Sequence, residues 1–383
     1  MKSLFPPQAY ISEEWFAREQ DLLMRPLWQF VAPLALLNRH NTFVTRHLAG
    51  VHVVVQNFDG EIKAFENNCL HRLTPIQTET EGRRPLVCGY HGWRYDVDGK
   101  VAKIPFDEEC YRLKECETAR LKLREFAVHV LGGLVFVNVG ARPLPFDEQF
   151  GPEVQASIKA ASEAFDDEVL ITTFPARFNW KLAYENLRDA LHPRFVHPAT
   201  LYKRVKFQTP VDDTQLPWLH RYREHGSAHR ASHLAVLRGL SNGGENEPIP
   251  DMPRYAWHAN VQRHGERDWY LNWLLFPNLH IASASGGHAF IIEHHQPVSA
   301  ARTDLTVYYV TARKTRAYPT SAAVLLAHIE GAEPVLREDI EIMEQVQAGL
   351  APDSPAGTLG DFEQANLTVE RWYMDVMDGR HEL

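Results

Sequence analysis

Four residues in two short stretches carry the strongest chemical signal in this sequence. Cys69-Leu70-His71 is followed, after a 16-residue spacer, by Cys88-Gly89-Tyr90-His91. Thiolate sulfur is a soft donor suited to iron–sulfur clusters and zinc, and neutral imidazole suits iron, zinc and copper. A zinc finger pairs Cys with Cys and His with His. Here each Cys travels with a His. That order fits a [2Fe–2S] cluster in which one iron takes both sulfurs and the other takes both imidazoles. Zinc is the rival reading of a two-Cys, two-His set.

A second constellation lies downstream. Residues 179–192, NWKLAYENLRDALH, are predicted as a helix with Asn179 as its cap, and they carry Asp189-x-x-His192-x-x-x-x-His197 across the helix end. On such a helix Asp189 and His192 are i, i+3 and share a face. Pro193 is expected to stop the helix, so that the chain turns and brings His197 to the same point. Two convergent His with a carboxylate suggest the set that holds non-haem Fe(II) while leaving positions open for O₂. The motif is short and gains its meaning from the electron-transfer centre about a hundred residues upstream, for which it is a destination.

The rest of the chain must position these groups. Its 383 residues imply two domains. A hydrophobic content of 44% with 23% charged residues is that of an ordinary globular protein. Net charge is −9 with no Lys/Arg-rich run, which argues against nucleic acid or an anionic membrane as partner. No apolar run reaches the ~18 residues of a membrane span. The N-terminal MKSLFPPQAY has no apolar signal core. Cys110 and Cys116, in a charged stretch away from the paired motif, read as free thiols. The expected location is the cytoplasm.

Residues 12–24 are predicted as an amphipathic helix capped by Ser12. Short strands are expected at Trp28–Ala32, Thr42–Leu48, Val51–Asn57, Ile62–Glu66, Trp93–Val97, Leu121–His129 and Leu134–Val139. Asp59-Gly60 and Asp98-Gly99 are hairpin signals. Prolines at 142–145 mark a boundary. Beyond it come a helix over 153–165, extended chain over 168–178, and a polar, aperiodic stretch over 205–255. Strands follow at Trp269–Phe276, His280–Ser283, Ala289–Gln296 and Asp304–Thr311, and a helical Ser321–Gln347. His294 and His295, as sequential strand residues, point to opposite faces and read as structural. Trp269, Trp273 and Phe276 are candidates for a pocket wall or for core.

Over nearly its whole length the chain resembles the Rieske non-haem iron oxygenases, in their catalytic α subunit. CLHR…CGYHGWRYDVDGK resembles the family's Rieske signature, and GGLVFVNV (132–139) the strand that closes its Rieske domain. NWKLAYENLRDALHPRFVHP resembles the mononuclear-iron motif, although Leu191 stands where the family often has Tyr. The resemblance implies an α+β protein: an all-β Rieske [2Fe–2S] domain (27–145), and a catalytic domain of antiparallel β-sheet covered by helices (146–383). An N-terminal helical segment (1–26) would pack on the latter. It makes Cys69, His71, Cys88 and His91 the cluster ligands, and His192 and His197 iron ligands. REDIEIMEQVQAGL (337–350) resembles the helix supplying the third ligand, which puts Asp339 there, with Glu338, Glu341 and Glu344 as local competitors. Asp189 becomes the carboxylate that bonds a ligand His of its own site and a cluster His of a neighbouring subunit.

The implied activity is that of a terminal oxygenase. It would use O₂ and NAD(P)H electrons delivered by a partner reductase, with or without a ferredoxin, since no G-x-G-x-x-G fingerprint is present. The assembly implied is a homotrimer, with or without a β-subunit. Hydroxylation of an aromatic ring or aromatic acid is the first reading. The alternative is oxidation of a quaternary amine such as choline or carnitine, or oxidative demethylation, because Asn186 stands six before His192 and Trp and Tyr could cage a cation. Two other classes stay open: an electron carrier with a cluster alone, which the length disfavours, and a zinc hydrolase.

Overall fold

The computed structural model describes residues 1–189, 191–205, 233–381 and 383. The chain forms two compact units, Arg25–Pro143 and a larger one made of Met1–Met24 with Leu144–Leu383.

The smaller unit is an antiparallel sheet of β1 (Gln29–Pro33), β2 (Thr42–Leu48), β3 (Val51–Phe58), β4 (Glu61–Glu66), β5 (Glu81–Arg83), β8 (Glu125–Leu131) and β9 (Leu134–Asn138), in the order β1-β9-β8-β4-β3-β2-β5. A separate ribbon pairs β6 (Arg94–Tyr95) with β7 (Val101–Lys103). Asp59 and Gly60 both take positive φ, +54° and +100°, the conformation of a two-residue hairpin turn that matches strand twist. Ala49-Gly50 makes a like turn between β2 and β3 that its residue types do not announce. Asp98-Gly99 departs from expectation. The loop is longer than two residues, and the Asp96 carboxylate organises it by accepting from the N–H groups of Asp98 and Lys100.

In this unit Cys69 and Cys88 belong to the hydrophobic core, packed with Phe43, Val54, Phe65 and Trp93. The rest of each Cys-His stretch grows out of that core. Asn67, fully buried, anchors the first: its Oδ1 accepts from the N–H groups of Ile76 and Gln77, and its Nδ2 donates to the Gln77 carbonyl.

The larger unit holds a second antiparallel sheet, β10 (Phe165–Ala176), β11 (Asn242–Pro248), β12 (Trp269–Leu275), β13 (Leu279–Ser283), β14 (Ala289–Ser299) and β15 (Arg302–Ala312), in the order β10-β15-β14-β13-β12-β11. β11 lies within the stretch read as aperiodic, whose residues 206–232 fall outside the described ones. Its Gly243 has φ +148°, and a Cβ there would lie 2.4 Å from the Asn272 carbonyl oxygen. Two glycines and four polar residues hide the strand from any alternation test.

Helices in this unit carry or brace the site. α1 (Glu13–Glu19) is capped by Ser12, whose hydroxyl accepts from the Trp15 N–H, and continues as a π-helical turn over Gln20–Met24. α2 spans Pro152–Ser162 and α3 spans Trp180–Asn186. α4 is the single turn Pro193–Val196, α5 runs from Ser321 to Gly349, and α6 (Gln364–Met377) was not anticipated. Leu325 and Leu336 of α5 pack on Leu305, Val307 and Tyr309 of β15. A buried knot joins three helices: Glu19 of α1 lies 2.6 Å from Lys181 Nζ of α3, accepts from Trp180 Nε1 at 3.0 Å, and accepts from the Tyr373 hydroxyl of α6. Breaking such a buried pair by removing one partner typically costs about 3–5 kcal/mol.

Candidate metal centres

The two Cys-His stretches of the smaller unit adopt the same backbone design. The Cys69 N–H donates to the Thr74 carbonyl, and the Leu73 N–H donates back to the Cys69 carbonyl. In the second stretch the Cys88 N–H donates to the Trp93 carbonyl and the Gly92 N–H to the Cys88 carbonyl. The fifth residue of each, Leu73 and Gly92, has positive φ (+59° and +72°). Each loop therefore turns through the left-handed region to present its His beside its Cys. Leu73 pays that conformational cost as a non-glycine residue and is left exposed.

This pairing brings the four expected residues together. The thiols of Cys69 and Cys88 are buried, and the Nδ1 atoms of His71 and His91 face each other at 3.1 Å near the surface. The Tyr95 hydroxyl donates to Cys69 Sγ at 3.1 Å and accepts from the Leu70 N–H at 2.9 Å. Trp93 stacks on His71, with ring centroids 5.3 Å apart and planes within 8°. Burial pushes the Cys69 thiol up, outweighing the Tyr95 bond. Burial, together with nearby His91 and Arg72, lowers His71, in the direction of the neutral imidazole that a ligand must be. Sulfurs on the buried side and nitrogens on the exposed side fit a two-iron cluster bound unsymmetrically. Cys110 and Cys116 are exposed and unpaired as disulfides.

In the larger unit one expectation needs correction. The helix that opens at Asn179, whose side chain accepts from the Lys181 N–H, ends at Asn186 and not at His192. Tertiary contacts stop it. Arg188 is buried and its guanidinium donates to the Tyr184 hydroxyl and the Leu240 carbonyl. Asp189 then folds an Asx turn, its carboxylate accepting from the Leu191 N–H at 2.7 Å. Asp189 and His192 therefore do not share a helical face. Pro193 opens the turn α4 rather than closing a helix.

The ligand candidates nevertheless converge. His192, His197 and Asp339 each offer an atom within 4.8 Å of the other two. Asp339 Oδ1 lies 3.0 Å from His197 Nε2 and 3.5 Å from His192 Nε2. Asn186 Nδ2 donates to the same Oδ1 at 2.8 Å. His192 Nδ1 meets the backbone carbonyl of Asp189 at 2.7 Å, while the Asp189 carboxylate stays 3.8 Å away. His197, almost fully buried, meets Glu338 Oε2 through Nδ1 at 2.7 Å. Burial alone would push the Asp339 carboxyl up, but the two imidazoles outweigh it and hold it well below the usual range. Burial would lower the His197 imidazole, but the carboxylates of Asp339 and Glu338 outweigh it and raise it. Two imidazoles and one carboxylate on a single point form the donor set of a non-haem iron site with open positions.

Among the competitors, Glu344 binds the N–H and guanidinium of Arg177, and Glu341 accepts from Gln345. Glu338 sits behind His197, on the nitrogen turned away from the point of convergence.

The three residues line a cavity of about 2110 Å³, as bounded by the described residues. One face of the sheet floors it. Asn272, His280, Ala282, Ile291 and Glu293 follow one another across β12, β13 and β14, in the register Asn272↔Ala282, His280↔Glu293 and Ala282↔Ile291. Asn272 Oδ1 contacts His280 Nε2 at 3.1 Å, and Glu293 lies 3.0 Å from His280 and 3.2 Å from His295. Burial would raise the Glu293 carboxyl, yet the two imidazoles bring it down to about 2. Tyr270, also on the cavity lining, is pushed up by burial and then by the charges of Glu293 and Asp339. Trp257 and Trp269 add aromatic wall, whereas Trp273 and Phe276 are core. Sequence reasoning missed Trp257, His280 and Glu293. The alternation of strand residues was legible, but not which face meets the cavity.

Known proteins match in the same two parts. Residues 27–123 match the family model of the Rieske [2Fe–2S] domain, and residues 162–379 that of the ring-hydroxylating alpha subunit, catalytic domain. The chain is 27% identical to the glycine betaine monooxygenase oxygenase subunit of Chromohalobacter salexigens, over 55% of this chain and 46% of that protein. It is 26% identical to the carnitine monooxygenase oxygenase subunit of Acinetobacter pittii, over 51% of this chain and 52% of that one. It thus spans about half the length of these relatives. A solved structure of the quaternary ammonium Rieske monooxygenase CntA with L-carnitine has the same fold, with a TM-score of 0.67, 17% identity, and coverage of 97% of this chain and 96% of that one. With a Rieske domain followed by a matching catalytic domain, this chain belongs to the Rieske ring-hydroxylating oxygenase family, on its catalytic α-subunit side.

Proposed function

We propose that this chain is the terminal oxygenase of a Rieske system that oxidises a quaternary amine, with electrons from NAD(P)H arriving through a partner reductase. The observation that carries the reading is the convergence of His192, His197 and Asp339 on the wall of a large cavity that also presents Trp257, Trp269 and the buried carboxylate of Glu293. Aromatic faces and a carboxylate held ionised near pH 7 suit a trimethylammonium group better than a neutral ring. The betaine and carnitine monooxygenase relatives favour this alternative over the aromatic hydroxylation that the sequence alone put first.

In this reading Cys69, His71, Cys88 and His91 hold the [2Fe–2S] cluster, and His192, His197 and Asp339 hold mononuclear iron. The cluster supplies single electrons and the iron supplies O₂ activation. The chain's own residues do the rest. Tyr95 binds a cluster sulfur, Asn186 and the Asp189 carbonyl orient Asp339 and His192, and the aromatic wall binds the cation and keeps water out. In a homotrimer the Asp189 side chain would be the link between this site and the cluster of a neighbouring subunit.

The test is turnover with a generic reductase, comparing glycine betaine, carnitine and choline with benzoate-type aromatic acids. Coupled O₂ uptake and formaldehyde or aldehyde release with a trimethylammonium compound supports the proposal. Turnover of aromatic acids alone contradicts it.

A further inference from the structure

Two consecutive residues of α5 address opposite nitrogens of one imidazole. Asp339 meets His197 Nε2 at 3.0 Å, and Glu338 meets His197 Nδ1 at 2.7 Å. Successive helix positions point about 100° apart, so the ring lies across the helix with a carboxylate on either edge. Glu338 is itself held: the Thr200 hydroxyl donates to the same Oε2 at 2.6 Å. Thr200 in turn belongs to the turn that follows His197, its N–H donating to the His197 carbonyl. Thr200, Glu338 and His197 therefore form a closed local unit.

We infer that Glu338 is a positioning residue for the metal, acting through His197. Its carboxylate accepts only, so the Nδ1 facing it must carry the proton. That fixes the tautomer and leaves the Nε2 lone pair directed at the point shared with His192 and Asp339. Glu338 cannot reach that point itself, because its oxygen lies on the far edge of the ring. A carboxylate behind a ligand imidazole also makes the imidazole a stronger donor.

The two ligand imidazoles are thereby made unequal. His192 has a backbone carbonyl behind it, that of Asp189 at 2.7 Å, whereas His197 has the carboxylate of Glu338, also at 2.7 Å. His197 is the more buried of the two, with 1% of its side chain exposed against 16% for His192. The carboxylate thus stands behind the more deeply buried of the two imidazoles.

This inference rests on the metal site proposed above, and its test separates the two. The affinity for Co(II) of protein that keeps its two-iron cluster but has lost its mononuclear iron is measured by anaerobic titration for the wild type, Glu338→Ala, Glu338→Gln and Thr200→Val. Loss of such a carboxylate behind a ligand His costs roughly 10–100-fold in metal affinity. Glu338→Ala is expected to fall in that range. Glu338→Gln, which still accepts from Nδ1–H but carries no charge, is expected to recover part of it, and Thr200→Val to lose less than Glu338→Ala. Proton NMR of the Co(II) form gives a second readout, independent of activity. The wild type is expected to show two shifted imidazole N–H signals, one of which exchanges faster with solvent in Glu338→Ala while the His192 signal stays. Affinity within twofold of wild type in Glu338→Ala, with both N–H signals unchanged, overturns the inference and leaves the metal site standing. A wild-type protein that binds no Co(II) overturns both.

Discussion

His192 is oriented by the backbone of Asp189, not by its side chain: Nδ1 meets the carbonyl oxygen at 2.7 Å, while the carboxylate lies 3.8 Å off and accepts from the Leu191 N–H instead. The carboxylate is thus free of the ligand-orienting task and is the part of Asp189 to which the proposed function gives the electron-transfer role. Asp189→Asn keeps the carbonyl and the loop but removes the charge. Metal content is expected to stay at the wild-type level while reductase-driven turnover falls at least tenfold. Metal analysis beside steady-state O₂ uptake checks this, and an Asp189→Asn enzyme that loses its iron would contradict the division of roles.

Tyr95 offers a handle on the other centre. Its hydroxyl is the donor to Cys69 Sγ, and hydrogen bonds to cluster sulfurs are among the features that set reduction potential. Withdrawing that donor leaves more electron density on sulfur and stabilises the oxidised cluster. Tyr95→Phe is expected to keep the visible spectrum of the cluster and to lower its reduction potential, read by redox titration.

Glu185 gives a pH dependence. Burial, with Glu370 nearby, pushes its carboxyl up to about 8 despite the Tyr10 hydroxyl donating to it at 2.6 Å. Unfolded, the same group titrates near 4.5. Between these values the folded chain holds a proton that the unfolded chain has lost, so this group's contribution to stability falls as pH rises from about 4.5 to about 8. Glu185→Gln mimics the protonated form and should melt higher than wild type at pH 8, with the difference shrinking toward pH 5. Thermal melts across that range check the sign.

Gly243 marks where the cavity wall depends on backbone approach. A Cβ at this position would lie 2.4 Å from both the Asn272 carbonyl oxygen and Trp273 Cα, on a residue with φ +148°. Gly243→Ala is expected to destabilise the unit by at least about 1–3 kcal/mol, the usual range for forced overpacking. Urea denaturation measures it.

What the sequence made legible follows from how local each cause is. Asp59-Gly60 specifies its turn through residue types alone, and Ser12 and Asn179 cap their helices as their chemistry requires. The four Cys-His residues meet because each stretch closes on itself by its own backbone bonds, Leu73 to Cys69 and Gly92 to Cys88. The end of α3 was not legible. It is decided by Arg188 reaching the Leu240 carbonyl, a residue 52 positions away. The same holds for the cavity floor, where His280 and Glu293 become neighbours only through the pairing of β13 with β14. Asp339 was placed by resemblance, and Glu338 beside it was taken for a rival ligand. Only the helix geometry shows one carboxylate before His197 and the other behind it.

The central claim is that one chain carries a two-iron cluster and a separate single iron. Iron and acid-labile sulfide per chain, on protein purified without oxygen and loaded with Fe(II), test it most directly. The account expects about three irons to two sulfides, two irons from the cluster and one from the His192–His197–Asp339 site. Replacement of His197 by Ala should bring the ratio to about two to two without changing the cluster spectrum. Zinc without sulfide in the wild-type protein would contradict the account.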